Sequence, residues 1–193
     1  CNGNFSVLSY DSEIASFENL KGKTVNLTEK ASVEDSVFRY VLNSNDIFIG
    51  ENEDSVNIEY SVTNANVAQF MLSGKTDYVL CGQPYSTAVI KKDSNVIKVI
   101  DLQNEYAIFA EKTKESFPYF VAVVNSSFAE KNREKLESFS ELLQKSIEWT
   151  LKNPQKAGVS YQKNQLGFMA PIIGSAISNC NFVYENAQSS SLR

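Results

Sequence analysis

The sequence has 193 residues, 42% hydrophobic and 21% charged, an ordinary globular composition that excludes collagen-like, coiled-coil and disordered classes. Its net charge of -5 opposes binding to nucleic acid, because clustered lysine and arginine are needed to hold phosphate groups. The chain contains no histidine, which removes histidine-based nucleophile sets and histidine-bearing zinc sites, while chemistry through Asp, Glu, Lys or Tyr stays possible.

The three cysteines, Cys1, Cys81 and Cys180, lie too far apart in sequence for a CxxC metal or redox motif. Cys81 ends an apolar run and is predicted to be a buried thiol. A first residue of cysteine suits a mature bacterial lipoprotein, so Cys1 is a candidate lipidation site. No apolar stretch reaches the roughly 18 residues of a membrane span, so the sequence predicts membrane attachment only through such an anchor.

The first half of the chain alternates predicted strands and helices. A capping box of Ser32 and Asp35 opens the first helix, whose inner face is predicted to hold Val33, Val37, Tyr40 and Val41. The elements in order are strand 24–28, the helix after Ser32, strand 56–62, helix 65–72, strand 77–81, helix 86–91 and strand 96–102. This βαβαβαβ order predicts an α/β fold with a mostly parallel sheet and helices on both faces.

The second half is predicted to be mainly helical. A charged loop over 111–116 precedes a continuous apolar strand over 119–124. Ser127 and Glu130 form a second capping box, opening a long helix. Its apolar face comprises Leu136, Phe139, Leu143, Ile147 and Leu151. Asn153-Pro154 ends that helix and starts another, residues 168–183 predict a terminal helix and strand, and residues 189–193 a frayed end.

Two Gly-Lys-Thr triplets, at 22–24 and 74–76, are similar to the end of a phosphate-binding loop. Such a loop needs a glycine five positions earlier, where this sequence has Phe17 and Gln69. Both triplets also precede strands instead of following them. The sequence therefore excludes a P-loop.

Three polar turns follow predicted strands, where open α/β sheets bind ligands near helix N-termini. Hydrogen-bonding groups and one stacking ring in these turns are the candidate ligand contacts. These residues are Ser32, Asn64, Asn66, Gln83 and Tyr85. The alternative for Ser32 and Asn64 is that each is simply a helix cap.

Several segments resemble one family. The likeness is carried, in order along the chain, by residues 16–25 (SFENLKGKTV), 70–79 (FMLSGKTDYV), Gln83-Pro84-Tyr85, 121–128 (VAVVNSSF), 146–149 with Asn153-Pro154, and 177–181. They are similar to segments of ABC-importer substrate-binding proteins of the NMT1/THI5-like and aliphatic-sulfonate-binding type. The resemblance implies a type 2 periplasmic-binding-protein fold, in which two α/β lobes close over a small molecule.

The resemblance also implies a division of the chain. Residues 1–19 would be a crossover segment, 20–105 the second lobe, and 106–193 a return strand and helices toward a first lobe that is mostly missing. Cys1 to Tyr10 resembles a crossover strand from inside the family's chain, which favours a fragment over a processed lipoprotein. Gln83 stands where the family usually has Glu, which leaves the chemistry of the ligand open.

The implied function is a non-catalytic solute-binding component of an ABC importer, capturing a small polar or aromatic molecule for a permease. It implies an extracytoplasmic place, periplasmic or on the cell surface, with no cofactor, metal or nucleic acid. Three alternatives stay open: a ligand-sensing domain of a regulator, a lobe that binds only protein, and a small enzyme using Asp or Glu. The related pyrimidine synthase draws on a histidine and a cysteine-rich motif, which this sequence lacks.

Overall fold

The computed structural model describes residues 2–109 and 117–185. The described residues of Gly3–Phe117 form one compact unit, and those of Pro118–Arg193 together with Asn2 form another. Cys1, the predicted charged loop at 111–116 and the predicted frayed end at 189–193 lie outside the described residues. The three-part division at residues 19 and 105 stays a prediction.

A six-stranded sheet forms the centre of the first unit, with strand order β3-β4-β2-β5-β1-β6. The strands are β1 (Phe5–Ser9), β2 (Thr24–Leu27), β3 (Phe48–Ile49), β4 (Ser55–Glu59), β5 (Tyr78–Gly82) and β6 (Ile97–Asp101). The strand β2 runs parallel to β4 and β5, and β3 runs parallel to β4. Only β1 is reversed, because it pairs antiparallel with both β5 and β6. The predicted mostly parallel α/β sheet is confirmed.

Two pairs of helices cover the faces of this sheet. The helices are α1 (Val33–Ser44), α2 (Val67–Leu72), α3 (Tyr85–Lys92) and α4 (Leu102–Phe109), with a short 3₁₀ turn at Phe17–Leu20. The helix α1 packs with α4, and α2 packs with α3. On the α2 and α3 side the core contains Leu8, Val62, Val67, Met71, Val79, Cys81, Val89 and Val96. Burial of these apolar side chains is the main force that holds the unit together.

The inner face of α1 differs from the prediction. Val33 and Tyr40 are exposed, whereas Phe38, Val41 and Leu42 are buried. The helix is rotated because its first turn places two acidic residues inward, Glu34 and Asp35. A pattern of apolar residues could not reveal this orientation, since it assigns every carboxylate to solvent.

The second unit contains α5 (Ser126–Lys131), α6 (Arg133–Lys152), α7 (Pro154–Lys163) and α8 (Ala170–Ala176), then a 3₁₀ turn at Ile177–Asn179. Pro154 begins α7, as predicted. The predicted cap Ser127 is wrong, because Asn125 caps α5 and its Oδ1 accepts from the backbone N–H of Ser127 and Phe128. Among the described residues, no helix is long and apolar enough to cross a membrane.

Two predicted strands in this unit are wrong. Residues 119–124 adopt no regular structure, and pairing near them is limited, within the described ranges, to a bridge between Asn2 and Pro118. Residues 180–183 are also irregular. The single long helix predicted from Ser127 is divided at Asn132 into α5 and α6, and none of the residues of α6 is buried. A strand needs a partner strand, and residues 119–124 form no ladder within the described ranges. The apolar face of α6 is only partly covered, by α7 and by the 3₁₀ turn at Ile177–Asn179.

Candidate functional site

The candidate site lies at the edge of the sheet where the parallel strands end, here called the carboxyl edge. Because β1 is antiparallel, its beginning lies beside the ends of β5 and β6. Phe5 is opposite Gly82, and Ser6 is opposite Asp101. Residues just before β1 therefore share this edge with residues just after β2, β4, β5 and β6. In open α/β sheets, ligands bind at this edge.

The hydroxyl of Ser32, a predicted ligand contact, forms hydrogen bonds with nearby backbone groups. Its Oγ donates to the carbonyl oxygen of Glu29 at 2.8 Å and accepts from the backbone N–H of Asp35 at 3.3 Å. The hydroxyl therefore caps α1, which is the alternative anticipated from the sequence. A role of Ser32 in ligand binding stays a prediction.

The two asparagines after β4 differ from each other. Asn66 precedes α2, and its Oδ1 accepts from the backbone N–H of Thr63 at 2.6 Å. Asn64 is exposed two residues before it. Asn66 thus stabilises the turn before α2. Asn66, and not Asn64, occupies the N-cap position of that helix.

Gln83 and Tyr85 follow β5 directly. The hydroxyl of Thr87 donates to Gln83 Oε1 at 2.6 Å, which fixes the orientation of the Gln83 amide. Tyr85 begins α3 and packs partly buried against the apolar cluster on the α2 and α3 side. Its ring is therefore held by the core, with only part of its surface at the carboxyl edge.

Three further polar residues at this edge were missed by the sequence analysis: Asn4, Ser86 and Gln103. Their exposed fractions are 8%, 2% and 8%. Asn4 Oδ1, Ser86 Oγ and Gln103 Nε2 have no hydrogen-bond partner in the part of the chain that the structure describes. An unsatisfied buried polar group costs about 1–3 kcal/mol, so three of them mark a place where a partner is expected to bind.

The side chains around these atoms hold them at the edge. Gln103 Oε1 accepts from the backbone N–H of Gly3 at 3.1 Å. This bond orients the side-chain amide of Gln103 against the residues that precede β1. A Cβ on Gly82 would lie 3.0 Å from Asn4 Oδ1 and 2.9 Å from the ring of Phe5. Glycine at position 82 therefore leaves the space that the Asn4 side chain occupies.

Acidic groups from the first turn of α1 complete the edge. Thr28 Oγ1 donates to Glu34 Oε1 at 3.1 Å. Asp35 accepts from Arg39 Nε at 2.7 Å, from the Tyr60 hydroxyl at 2.9 Å and from the backbone N–H of Ala31 at 2.8 Å. Burial alone would raise the pKa of Asp35, but these hydrogen bonds and the Arg39 charge outweigh it and hold that pKa below its ordinary value.

Cys81 lies one residue before the end of β5 and is 1% exposed, so the predicted buried thiol is confirmed. Burial, with a smaller contribution from the Glu34 charge, raises the pKa of Cys81 to about 12. A thiol with such a pKa stays protonated at neutral pH and is a poor nucleophile.

The two Gly-Lys-Thr triplets meet at the opposite edge, where β2 and β5 begin. There a polar depression of about 390 Å³ is lined by Gly22, Lys23, Thr24, Asn26, Glu59, Lys75, Thr76, Asp77 and Tyr78. The backbone N–H groups of residues 22, 23, 74 and 75 all donate to backbone carbonyls, so they are not available to a phosphate. The structure thus supports the exclusion of a P-loop.

The sequence held only a partial signal for the missed residues. Glu34, Ser86 and Gln103 each lie in the first turn of a helix that follows a strand, so the rule that selected Ser32 and Tyr85 extends to them. Asn4 carried no such signal. It reaches the carboxyl edge only because β1 is antiparallel, and strand direction cannot be deduced from residue patterns.

The sheet and its helices have the α/β fold of a lobe of the periplasmic-binding-protein type. The sequence model of the family described as NMT1/THI5 like matches residues 2–157, more than half of the chain. The protein belongs to this family, and the resemblance stated from its sequence is confirmed.

The relatives found are named as binding and transport proteins. "Putative binding protein YtlA" of Bacillus subtilis (strain 168) is 27% identical over 147 residues, which is 76% of this chain and 40% of YtlA. An ABC transporter structure from Parabacteroides distasonis matches with a TM-score of 0.71 at 18% identity, over 98% of this chain and 61% of that one.

The periplasmic aliphatic sulphonate binding protein SsuA of Escherichia coli matches with a TM-score of 0.69 at 18% identity. That match covers 96% of this chain and 56% of SsuA. Identities this low show a shared fold and nothing about a shared ligand. This chain spans less than two thirds of each of these three proteins.

Proposed function

We propose that the protein is the solute-binding component of an ABC importer, and that a small polar solute binds at the carboxyl edge of the sheet. The observation that carries this proposal is the group of three buried polar atoms without partners, on Asn4, Ser86 and Gln103. Membership of a family whose relatives are binding proteins supports it. The predicted contacts Ser32, Asn64, Asn66, Gln83 and Tyr85 surround the same edge.

In this proposal the solute supplies the hydrogen bonds that the three atoms lack. Their burial means that little water competes for them, so each new bond contributes about 0.5–1.5 kcal/mol or more to binding. Binding would also favour one conformation of the protein, which a permease could recognise. Permease and solute are the two partners proposed.

The experiment is a thermal-shift screen of a metabolite library against the native full-length protein. A binding solute should raise Tm in wild type and raise it less in Asn4→Ala and Ser86→Ala. Lys23→Ala, on the opposite edge, is the matched control and should respond as wild type. A solute response that survives both edge variants would place binding elsewhere, and no response to any solute would contradict solute binding.

We further propose that the protein is not an enzyme and works outside the cytoplasm, with Cys1 as the candidate lipid-attachment residue. A solute identified in the screen should be recovered unchanged after prolonged incubation with the protein, as measured by NMR. Cell fractionation should find the protein outside the cytoplasm. Turnover of the solute, or a cytoplasmic location, would favour the enzyme or the regulator alternative.

A further inference from the structure

We propose that the solute carries a cationic nitrogen group, a protonated amine or an amidine, and that the Glu34 carboxylate binds it. This inference rests on the proposed function, because it assigns the chemistry of the solute at the same edge. It is carried by the charges that the fold buries and by the neutral groups at the same edge of the sheet.

Glu34 and Asp35 are the two charged side chains that the structure buries in the described residues, and both are carboxylates. Asp35 is compensated by the Arg39 guanidinium and by hydrogen bonds from Tyr60 and Ala31. Glu34 differs from it. Its polar contact is the neutral hydroxyl of Thr28, and no cationic side chain of the described ranges forms an ion pair with it.

A buried carboxylate is expected to be paired with a cation, because its desolvation is otherwise uncompensated. The nearby basic residues do not fill this role. Arg39 Nε is 2.7 Å from Asp35 and its Nη2 donates to Tyr60. Lys30 is exposed, with its Nζ 6.0 Å from the centre of the Tyr60 ring. The described residues therefore leave Glu34 without a countercharge, and in this proposal a cationic solute supplies it.

The neutral atoms at the edge are an independent sign that this edge binds a ligand. Asn4 Oδ1, Ser86 Oγ and Gln103 Nε2 lack partners and are each more than nine-tenths buried. They add acceptors and donors but no charge. Asp101, at the end of β6, also belongs to this edge but is paired with Lys98 at 3.0 Å. The unpaired buried charge offered to a solute is therefore the carboxylate of Glu34, which attracts a cation and repels an anion.

A purely structural role for Glu34 has to be separated from this one. The first turn of a helix is favourable for a carboxylate whatever it binds. Glu34→Gln keeps the shape and an oxygen acceptor for Thr28, but removes the charge. Glu29→Gln is the matched control, because it removes one exposed carboxylate of the same loop.

The probes are benzamidine, benzamide and benzoate, which share one ring and differ in carrying a positive, zero or negative charge. Their affinities for the native full-length protein are measured by ligand-observed NMR, together with Tm shifts. We expect the order benzamidine, benzamide, benzoate, with benzoate weakest. Glu34→Gln should weaken benzamidine at least tenfold and leave benzamide within about twofold, whereas Glu29→Gln should change neither.

Equal binding of the three probes, a preference for benzoate, or unchanged benzamidine binding in Glu34→Gln would overturn the charge assignment. So would a metabolite screen whose edge-dependent hits are all anions, and that result would leave solute binding itself intact. Absence of any edge-dependent hit in the screen would instead contradict the proposed function, and the charge assignment with it.

Discussion

At the scale of single residues, removal of the unpartnered Ser86 hydroxyl is predicted to preserve or raise stability while it weakens solute binding. Ser86→Ala removes a buried hydroxyl that has no partner in the described residues, so the free energy of unfolding without solute should stay equal or rise by about 1 kcal/mol. The same variant should weaken binding of any solute that uses this edge. Chemical denaturation with and without solute measures both effects.

The neighbouring Thr87 provides the matched comparison for Ser86. Its hydroxyl is also buried but donates to Gln83 at 2.6 Å. Thr87→Val should therefore lower the free energy of unfolding by about 1 kcal/mol, opposite in sign to Ser86→Ala. If both variants lose the same stability, Ser86 has a partner after all and its assignment to the binding edge fails.

Tyr78 predicts how stability depends on alkaline pH. Its hydroxyl donates to Asp11 at 2.9 Å, and burial together with the Asp11 charge raises its pKa to about 12. The unfolded chain ionises near the ordinary tyrosine pKa of about 10. Stability from Tyr78 is therefore complete below about pH 10 and is lost as pH rises toward 12, by an amount on the order of 2 kcal/mol.

The test is urea unfolding at a series of pH values between 8 and 11.5. Tyr78→Phe should be less stable at pH 8 but should lose less stability than wild type as the pH rises. The pKa values of Tyr10 and Tyr60 are also raised, so part of the alkaline loss should remain in this variant. Parallel curves for wild type and variant would show that Tyr78 ionises as an exposed tyrosine does.

What the sequence could predict at this scale followed from local rules. The cap at Ser32 and the buried thiol at Cys81 depend on near neighbours, and both predictions are confirmed. The burial of Asp35 could not be predicted, because it depends on Arg39 and on Tyr60, which follows β4.

At the scale of elements, local patterns located most strands and helices of the first unit, since each has its own periodicity and turn residues. They failed where formation of an element needs a distant partner. The predicted strand at 119–124 is apolar, yet Val123 is 91% exposed and no ladder forms among the described residues. The helix α4 was missed because it is short and its polar residues 103–105 follow directly on the predicted strand 96–102.

Close packing of α7 on α8 gives a prediction about one glycine. A Cβ at Gly158 would lie 2.4 Å from the backbone oxygen of Ala170 and 3.0 Å from the backbone nitrogen of Gly174. Since both atoms belong to backbone, Gly158→Ala must push the helices apart. We expect loss of about 1–3 kcal/mol of stability and faster amide exchange across α7 and α8.

Val159→Ala in the same helix is the control, because Val159 is 47% exposed and its truncation should cost less than about 0.5 kcal/mol. The free energy of unfolding of both variants is measured from the fluorescence of Trp149, the single tryptophan, which belongs to the same unit. Amide exchange in α7 and α8 is measured by NMR. Equal stability of Gly158→Ala and wild type would contradict the close approach of the two helices.

At the scale of the whole molecule, the sheet depends on a strand from the beginning of the chain. The strand β1 lies between β5 and β6, and Leu8 is opposite Val79 on one side and Lys98 on the other. The family resemblance indicated a crossover strand here, but residue patterns gave neither its direction nor its neighbours. Such long-range pairing must form before the sheet is complete, so folding is expected to be slow.

Leu8 tests this arrangement because it is fully buried and belongs to the main apolar cluster. Leu8→Ala should lower the free energy of unfolding of the sheet unit by about 2–5 kcal/mol. Ile97→Ala, on the edge strand β6 with Ile97 37% exposed, should cost about 1 kcal/mol or less. Hydrogen exchange in β1, β5 and β6 measures the loss directly, since no tryptophan lies in the sheet unit.

Trp149 belongs to the other unit, so its fluorescence shows whether the loss of stability is confined to the sheet unit or extends to the whole chain. If β1 holds the sheet together, Leu8→Ala should accelerate exchange in all three strands by a similar factor, because they open as one cooperative unit. Faster exchange confined to β1, with β5 and β6 protected as in wild type, would mean that the parallel strands are stable without it. The beginning of the chain would then be an addition to the sheet, and Asn4 would lose the fixed position from which its part in the binding edge is argued.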